Sequence, residues 1–474
     1  MDSKSIISDL KKIVGENNVE DDELIIKLYG RNAAYVEGNA LAVVFPTSVL
    51  QVSNLVKYAY KHNLKIYPQG SASELTGAST PYRDGIILSF NRMDRVKEVN
   101  IIDSYVVVEP GVRINDLNIV LMKYGYMFPI DPASEKSASV GGAINNGSGG
   151  MKGVKYGTMK DWVLELEVVI PNENGTILRL GCKTMKCRSG YDLVRLIIGS
   201  EGTLAIITEA TLKITPLPKN IVTIASFFSK LEDLANTVIE LKKQGISLFI
   251  AEFVDAYTVE AAYKYLKPKI IGKGHMLIVS VDAPLMMADE MLNLLEGIAR
   301  SNNAVSIFKA RTMSDAEELG LFMIRRALLP LSVNIAAEEI KDLGSRPIVI
   351  MQDISVPPSK LPYAISELRS LAEKYNISMT LGGHIGDGNI HPMVWYSEKD
   401  DNAKKIVNEF IYEMMMIAIK LGGTVSSEHG IGIMKKSGLV AELQSKESLY
   451  ALDLMKGIKK LFDPKEILNP GKIW

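Results

Sequence analysis

Cysteine is almost absent from this 474-residue chain. The two present, Cys182 and Cys187, stand in GCKTMKC. Their spacing fits neither CxxC nor a four-ligand metal site, and no iron–sulfur motif can be built from two. The expectation is two free thiols in a reducing compartment. Apolar runs long enough to span a bilayer are also lacking. The N-terminal MDSKSIISDLKKIVGENN is polar and amphipathic, without the apolar centre of a signal peptide. The protein is therefore expected to be cytoplasmic with no transmembrane segment, peripheral membrane association being the open alternative. Formal net charge is -1, which gives no electrostatic footprint for nucleic acid. No GxxxxGK[ST] phosphate loop and no GxGxxG dinucleotide fingerprint occurs, so NAD is not expected. Histidine is scarce as well: five in the chain, of which His384, His391 and His429 sit close together beside glycines.

What is present describes a soluble α+β protein, 47% hydrophobic and 23% charged. The length suggests roughly two to four domains. ALAVVFP (40–46) reads as a buried strand. Val49, Val52, Leu55, Val56 and Ala59 then recur at helical spacing to about His62, and LKIYP (64–68) is the next strand. IILSF (86–90) and YVVVEPG (105–111) are further strands, and INDLNIVLMKYG (114–125) is a helix capped by Gly125. WVLELEVVIPNENGTILRL reads as a hairpin, and another strand lies in GSEGTLAIITEATLKITPLP (199–218). Pro216 and Pro218 mark a domain edge. From about residue 219 strands alternate with amphipathic helices: IVTIASFF, KLEDLANTVIELKKQG, SLFIAEF, MMADEMLNLLEGIARS, AVSIF, PIVIMQDISVP and KLPYAISELRSLAEKYN. That alternation predicts a sheet covered by helices on one face. The methionine run of NAKKIVNEFIYEMMMIAIKLGG is core filling.

Two glycine-rich segments follow strands or helices of the first region. They are PQGSASELTGAS (68–79) and SVGGAINNGSGG (139–150). Backbone without Cβ can turn its N–H groups onto an anion, so two such loops suggest an extended polyphosphate ligand held from both sides. The first loop resembles the PRG[GA]G[TS]SLxG loop of flavoproteins with the vanillyl-alcohol-oxidase/PCMH-type FAD fold. ASVGGAINNGSGGMKGVKYGTMKDWVLELEVVIPNENG resembles that family's second pyrophosphate segment. GSEGTLAIITEATLKI is similar to a third. GGHIGDGNIHPMV, SSEHGIGIMKK and FDPKEILNPGKIW resemble the FAD-linked oxidase C-terminal domain. The combination, covering about residues 30–474, is similar to D-lactate dehydrogenases, glycolate-oxidase flavin subunits and D-2-hydroxyglutarate dehydrogenases.

The resemblance implies a PCMH-type FAD-binding domain over 1–218 and a ferredoxin-like α+β substrate or cap domain over 219–420. A helical segment over 421–474, carrying EHGIG, is then expected to return to the FAD domain. It implies non-covalent FAD, because no histidine or cysteine falls at the usual attachment positions. In the first loop the implied contacts are Pro68, Gly70, Ser71, Ala72, Ser73, Thr76 and Gly77. The second segment offers Pro132, Ser139, Val140, Gly141, Gly142, Asn145, Asn146, Gly149, Tyr156 and Gly157. Glu201, Gly202, Ile206, Ile207 and Asn469 complete the set. The first loop departs from the family pattern: Gln69 stands where arginine is usual, and Glu74 beside a pyrophosphate would be unfavourable unless it points away.

His384 and His391 are separated by GDGN, a turn signature. A strand–turn–strand arrangement lets both rings converge, which a single straight strand would not. Glu428, directly before His429, can add a carboxylate, and two histidines with one glutamate form the pattern of a catalytic metal site with an open position. The resemblance assigns His384, His391 and Glu428 to a divalent metal, zinc being the family's usual one, and His429 to the proton-abstracting base. Asn389 matches a family motif position whose role the resemblance leaves open, holding the turn being one reading. ELGLFMIRRALLP resembles the family's LWxxR segment, which makes Arg325 the expected clamp for a substrate carboxylate; Arg326 is the competing assignment. The implied reaction is FAD-dependent oxidation of a D-2-hydroxy acid (D-lactate first, glycolate or D-2-hydroxyglutarate next) to the 2-oxo acid. A base removes the hydroxyl proton and hydride passes to flavin N5. A non-redox group transferase of the alkyl-dihydroxyacetonephosphate synthase type, on the same scaffold, is the alternative. A metal-binding protein or hydrolase without flavin is a third. The electron acceptor is expected to be a quinone, a carrier protein or a dye, and a homodimer is compatible with the chain length.

Overall fold

The computed structural model describes residues 2–82, 84–340 and 344–474. The chain divides into two compact units. One comprises Met1–Gly150, Tyr156–Leu217 and Glu428–Trp474; the other comprises Met151–Lys155 and Pro218–Ser427. The Pro216–Pro218 edge read from sequence falls at this division.

The first unit holds two larger sheets and a two-stranded one that pairs Tyr126–Met127 with Thr215–Pro216. In the smaller of the two larger sheets, Ala42–Val44 and Lys65–Gln69 flank Gly85–Ser89 in parallel, with Val19–Glu20 added antiparallel at the edge. The helix joining the two parallel outer strands is Val49–His62. Ser48 caps its start, and Asn63, in a left-handed conformation, ends it. Its apolar stripe Val52, Leu55, Val56 and Ala59 is fully buried. The larger sheet is antiparallel, in the order Val96–Asn100, Tyr105–Val108, Ile206–Lys213, Val163–Val169, Ile177–Gly181. The hairpin expected over 162–180 is its edge, formed by Val163–Val169 and Ile177–Gly181. The returning C-terminal segment is fastened deeply into this unit. Ile66 N–H donates to the Ile467 carbonyl, Asn469 N–H donates to the Ile66 carbonyl, and Leu468 belongs to the same buried cluster as Leu55 and Ile66.

The second unit is built on an antiparallel sheet in the order Ala304–Ala310, Ile221–Phe228, His275–Asp282, Leu248–Val254, Met379–Gly383, Asn389–Ser397, Pro347–Met351. Ile354–Ser355 also pairs with Asn389–Ser397, making eight strands. Two features differ from the sequence reading. Strand His275–Asp282 and helix Ala256–Tyr265 lie between SLFIAEF and the helix over 288–301, and neither was expected. The sheet is also covered on both faces, since every position of Ile221–Phe228 and of Leu248–Val254 is buried. Helices Leu231–Lys243, Ala288–Ser301, Leu361–Tyr375 and Asp401–Lys420 pack in one group, and Ala256–Tyr265, Met323–Arg326 and Leu328–Glu339 in another.

The expectation of free thiols is corrected. Cys182 and Cys187 form a disulfide, with Cα atoms 6.1 Å apart. The loop after strand Ile177–Gly181 folds back over five residues and brings the two together, a local closure that no metal or redox spacing rule covers.

Candidate active site

In the first unit the two glycine loops come into direct contact. A Cβ on Gly70 would sit 2.0 Å from Ser139 Oγ, and one on Gly141 would sit 2.6 Å from Pro110 Cβ, so both positions exclude a side chain. Ser139 caps the short helix Val140–Asn146 by accepting from Gly142 N–H. Ala72 adopts φ +52°, a conformation that costs a residue with Cβ.

Glu74 does not oppose a ligand from the loop surface. One carboxylate oxygen accepts from Thr76 N–H at 2.7 Å and Gly77 N–H at 2.8 Å. The other accepts from Ser79 N–H at 3.1 Å, Ser79 Oγ at 2.9 Å and Asn32 Nδ2 at 2.9 Å. The carboxylate thus ties the turn together from inside. Gln69 is turned inward too, donating through Nε2 to the Tyr29 carbonyl at 2.8 Å. Lys472, from the C-terminal PGK, donates to the Gly77 and Thr80 carbonyls at 2.7 and 2.6 Å. Burial pushes its ammonium down to about 8, against the opposing pull of Glu74 and Glu201.

The EHGIG segment threads between these loops. The Glu428 carbonyl accepts from Asn146 Nδ2 at 2.5 Å, and the His429 carbonyl from Thr76 Oγ1 at 3.2 Å. Glu201 grips the following turn, accepting from Ile431 N–H at 2.6 Å and Gly432 N–H at 2.8 Å. Its carboxyl is pushed up to about 7 by burial, opposed by those two N–H groups. Gly430 and Gly432 both have positive φ, and a Cβ on Gly432 would lie 2.2 Å from the Thr76 carbonyl. The side chains of Glu428 and His429 are mostly buried, with His429 Nε2 3.8 Å from Glu428 Oε1.

Three residues implied for FAD, Asn145, Asn146 and Asn469, share one feature in this unit with Ser200, which the sequence did not single out. Asn145 Oδ1, Asn146 Oδ1, Ser200 Oγ and Asn469 Oδ1 are all buried without a hydrogen-bond partner within the chain. Buried polar atoms normally have partners, so this concentration fits a polar ligand. Asn469 is fixed from its other side, donating to the Ala78 and Glu201 carbonyls. Val140, Ile206 and Ile207 are fully buried core side chains, so a ligand would meet the backbone there.

In the second unit the predicted hairpin is present. Met379–Gly383 pairs antiparallel with Asn389–Ser397, Gly382 opposite His391, and residues 384–388 form the turn. A Cβ on Gly388 would lie 2.0 Å from the Val356 carbonyl, and Gly383 has φ +147°, so the tight turn requires its glycines. The imidazoles of His384 and His391 converge, ring centroids 5.1 Å apart and edge to face. His384 Nδ1–H donates to Glu252 Oε1 at 2.7 Å, and His391 Nδ1–H donates to the Gln352 carbonyl at 3.2 Å. With Nδ1 engaged in this way, a neutral ring presents Nε2 as its acceptor, the arrangement that metal-binding imidazoles use. The donor set fits a divalent metal. The segment leading to Glu428 is held by Asp353, which accepts from Ser427 N–H at 2.6 Å. The Asn389 side chain is buried, and its Oδ1 has no hydrogen-bond partner within the chain, as is also true of Gln352 Oε1.

Arg325 and Arg326 separate cleanly. Arg325 is buried and donates through Nε to Glu252 Oε2 at 2.6 Å; its terminal nitrogens have no partner among the described residues. Arg326 is half-exposed in a two-pronged pair with Glu317. Glu252, fully buried, was not singled out from sequence. The signal was there, since a lone carboxylate in SLFIAEF has to find partners if that strand is buried. The remaining histidines are structural. His275 Nδ1 accepts from Ala256 N–H, and burial, then Arg369, lowers its pKa to about 4. His62 packs on Tyr58.

Residues 217–473 match the family model for FAD linked oxidases, C-terminal domain, and residues 40–181 match an FAD binding domain. Among named relatives, the glycolate oxidase subunit GlcD of Bacillus subtilis is 32% identical, over 100% of this chain and 97% of its own. The D-lactate dehydrogenase of Archaeoglobus fulgidus is 34% identical, over 91% and 90%. Two solved structures share the fold at low identity. p-Cresol methylhydroxylase has TM-score 0.77 and 17% identity, covering 99% of this chain and 96% of its own. An alkyldihydroxyacetonephosphate synthase has TM-score 0.74 and 19% identity, covering 99% and 85%.

Proposed function

We propose that this chain, which belongs to the FAD-linked oxidase family, is an FAD-dependent dehydrogenase of D-2-hydroxy acids. D-lactate is the first candidate substrate, and glycolate and D-2-hydroxyglutarate the next. The observation that carries the reading is the buried Arg325–Glu252–His384 constellation: a guanidinium with unpartnered terminal nitrogens, joined through one carboxylate to an imidazole poised as a ligand. Arg325 would take the substrate carboxylate in a two-pronged charge-assisted pair. His384, His391 and Glu428 would hold a divalent metal, which supplies Lewis acidity toward the substrate hydroxyl. FAD, cradled by the loops around Gly70, Gly141 and Asn145, supplies the hydride acceptor. His429 accepts the hydroxyl proton at an imidazole nitrogen, while Glu201 and Thr76 keep its backbone in place. Relatives named for D-lactate dehydrogenase and glycolate oxidase support the substrate class.

The test is anaerobic titration of the purified yellow protein with D-lactate, glycolate, D-2-hydroxyglutarate and the L-enantiomers, with metal analysis of the same sample. Bleaching of the flavin by D-acids and not by L-acids is the expected result. A spectrum unchanged by every acid refutes the redox reading and favours the group-transfer alternative, whose fold likeness alone does not argue for it.

A further inference from the structure

We propose that Glu252 is a positioning residue that sets the tautomer of His384 and the direction of Arg325 with one carboxylate. The inference rests on the reading of His384 as a metal ligand and Arg325 as the substrate clamp, and goes beyond it by assigning the group that prepares both. Glu252 lies on strand Leu248–Val254 with its side chain at 0% exposure. Its two oxygens are divided between two donors: Oε1 takes His384 Nδ1–H at 2.7 Å, and Oε2 takes Arg325 Nε–H at 2.6 Å. Neither donor adjoins it in the chain, so the strand brings three distant segments to one carboxylate.

The consequence follows from donor and acceptor counting. A carboxylate only accepts, so it compels His384 to keep its proton on Nδ1 and its lone pair on Nε2. The same charge is the counter-ion of a buried guanidinium, and it holds Nε so that the terminal nitrogens face elsewhere. His391 is oriented differently, by the Gln352 backbone carbonyl, which no side-chain substitution removes. Only the His384 half of the pair therefore depends on a replaceable group.

An amide in place of the carboxylate has one acceptor for two donors. Arg325 Nε–H can never become an acceptor, so the amide oxygen of E252Q must face it. The amide NH2 then faces His384 Nδ1, which has to accept, and the ring proton moves to Nε2. Glu252→Gln thus separates two functions that Glu252→Ala would remove together.

The experiment compares wild-type and E252Q holoenzymes, both loaded with FAD. Zinc affinity is measured by competition with a chromophoric chelator. Oxamate, a non-oxidisable carboxylate, is titrated into the metal-free forms by its perturbation of the flavin spectrum. The ring tautomer is read from imidazole 15N shifts, which five histidines make assignable by single substitution. Expected are His384 Nδ1–H in wild type and Nε2–H in E252Q, with zinc bound roughly 10–100-fold more weakly by the variant. Oxamate affinity should stay within about threefold, less than 1 kcal/mol. Unchanged zinc affinity with an Nδ1–H ring in E252Q overturns the inference and leaves the functional reading standing. Wild-type protein that binds no zinc overturns the metal-ligand reading of His384, and the inference with it, while the flavin chemistry is decided separately by bleaching. Should E252Q not fold, the wild-type tautomer decides alone, since Nε2–H at His384 refutes the assignment.

Discussion

Replacing Glu74 with glutamine distinguishes two opposite accounts of the first glycine loop. If the carboxylate chiefly repels a pyrophosphate, its removal should tighten FAD. The hydrogen bonds give the contrary sign. One oxygen serves Thr76 N–H and Gly77 N–H, and the other serves Ser79 N–H, Ser79 Oγ and Asn32 Nδ2. Asn32 cannot turn its amide over without loss, because its Oδ1 already accepts from Ala34 and Val36 N–H. Whichever way the glutamine amide is placed, its NH2 therefore meets two N–H donors that it cannot satisfy. At about 1–2 kcal/mol for each lost bond, in a loop that water partly reaches, E74Q should cost about 2–4 kcal/mol. For a unit of this size that corresponds to a Tm lowered by roughly 5–10 °C. The assay is thermal unfolding of the holoenzyme at a fixed scan rate, followed by far-UV circular dichroism and by the rise of free-flavin fluorescence. FAD should dissociate faster and at lower temperature in the variant. A Tm within about 1 °C of wild type, or FAD held more tightly, refutes the scaffold role.

Three further outcomes are expected. Glu201 has a folded-state carboxyl raised from 4.5 to about 7, so the folded protein binds the extra proton in that window. Its contribution to stability is present below 4.5 and is lost as pH rises through 7; the urea midpoint of wild type relative to E201Q should fall across this range, and a constant difference contradicts the reading. Arg325→Lys keeps charge but loses the guanidinium fork, and should lower kcat/KM for 2-hydroxy acids by roughly 10–100-fold, whereas Arg326→Lys, in an exposed pair with Glu317, should change it by less than about threefold. His429→Ala should slow flavin reduction by roughly 100-fold or more with FAD content unchanged; stopped-flow traces that match wild type would remove His429 from the base role.

Local signals carried much of the architecture and of the candidate site. The glycine–histidine hairpin was readable because GDGN between two apolar runs leaves few alternatives to a turn, and the observed register places Gly382 opposite His391. The division at Leu217 and Pro218 lies beside the prolines that marked an edge in the sequence, although Pro216 itself still pairs with Tyr126 in a short edge strand. What escaped reading is nonlocal. Strand His275–Asp282 has seven buried positions before its final residue, so it shows none of the alternation that marks a half-buried strand. The disulfide depends on a loop bending back within five residues, which composition does not foretell. Glu252 shows the limit most clearly. A charge within LFIAEFV is visible to anyone, but its meaning lies in partners 73 and 132 residues away. Arg325 follows the same logic from the other direction: adjacent to Arg326 in sequence and indistinguishable from it by composition, it differs only because the fold gives it a buried counter-ion, and Arg326 an exposed one. A residue pair like this becomes separable when burial is known, since a buried guanidinium is costly unless an acceptor such as a carboxylate partners it.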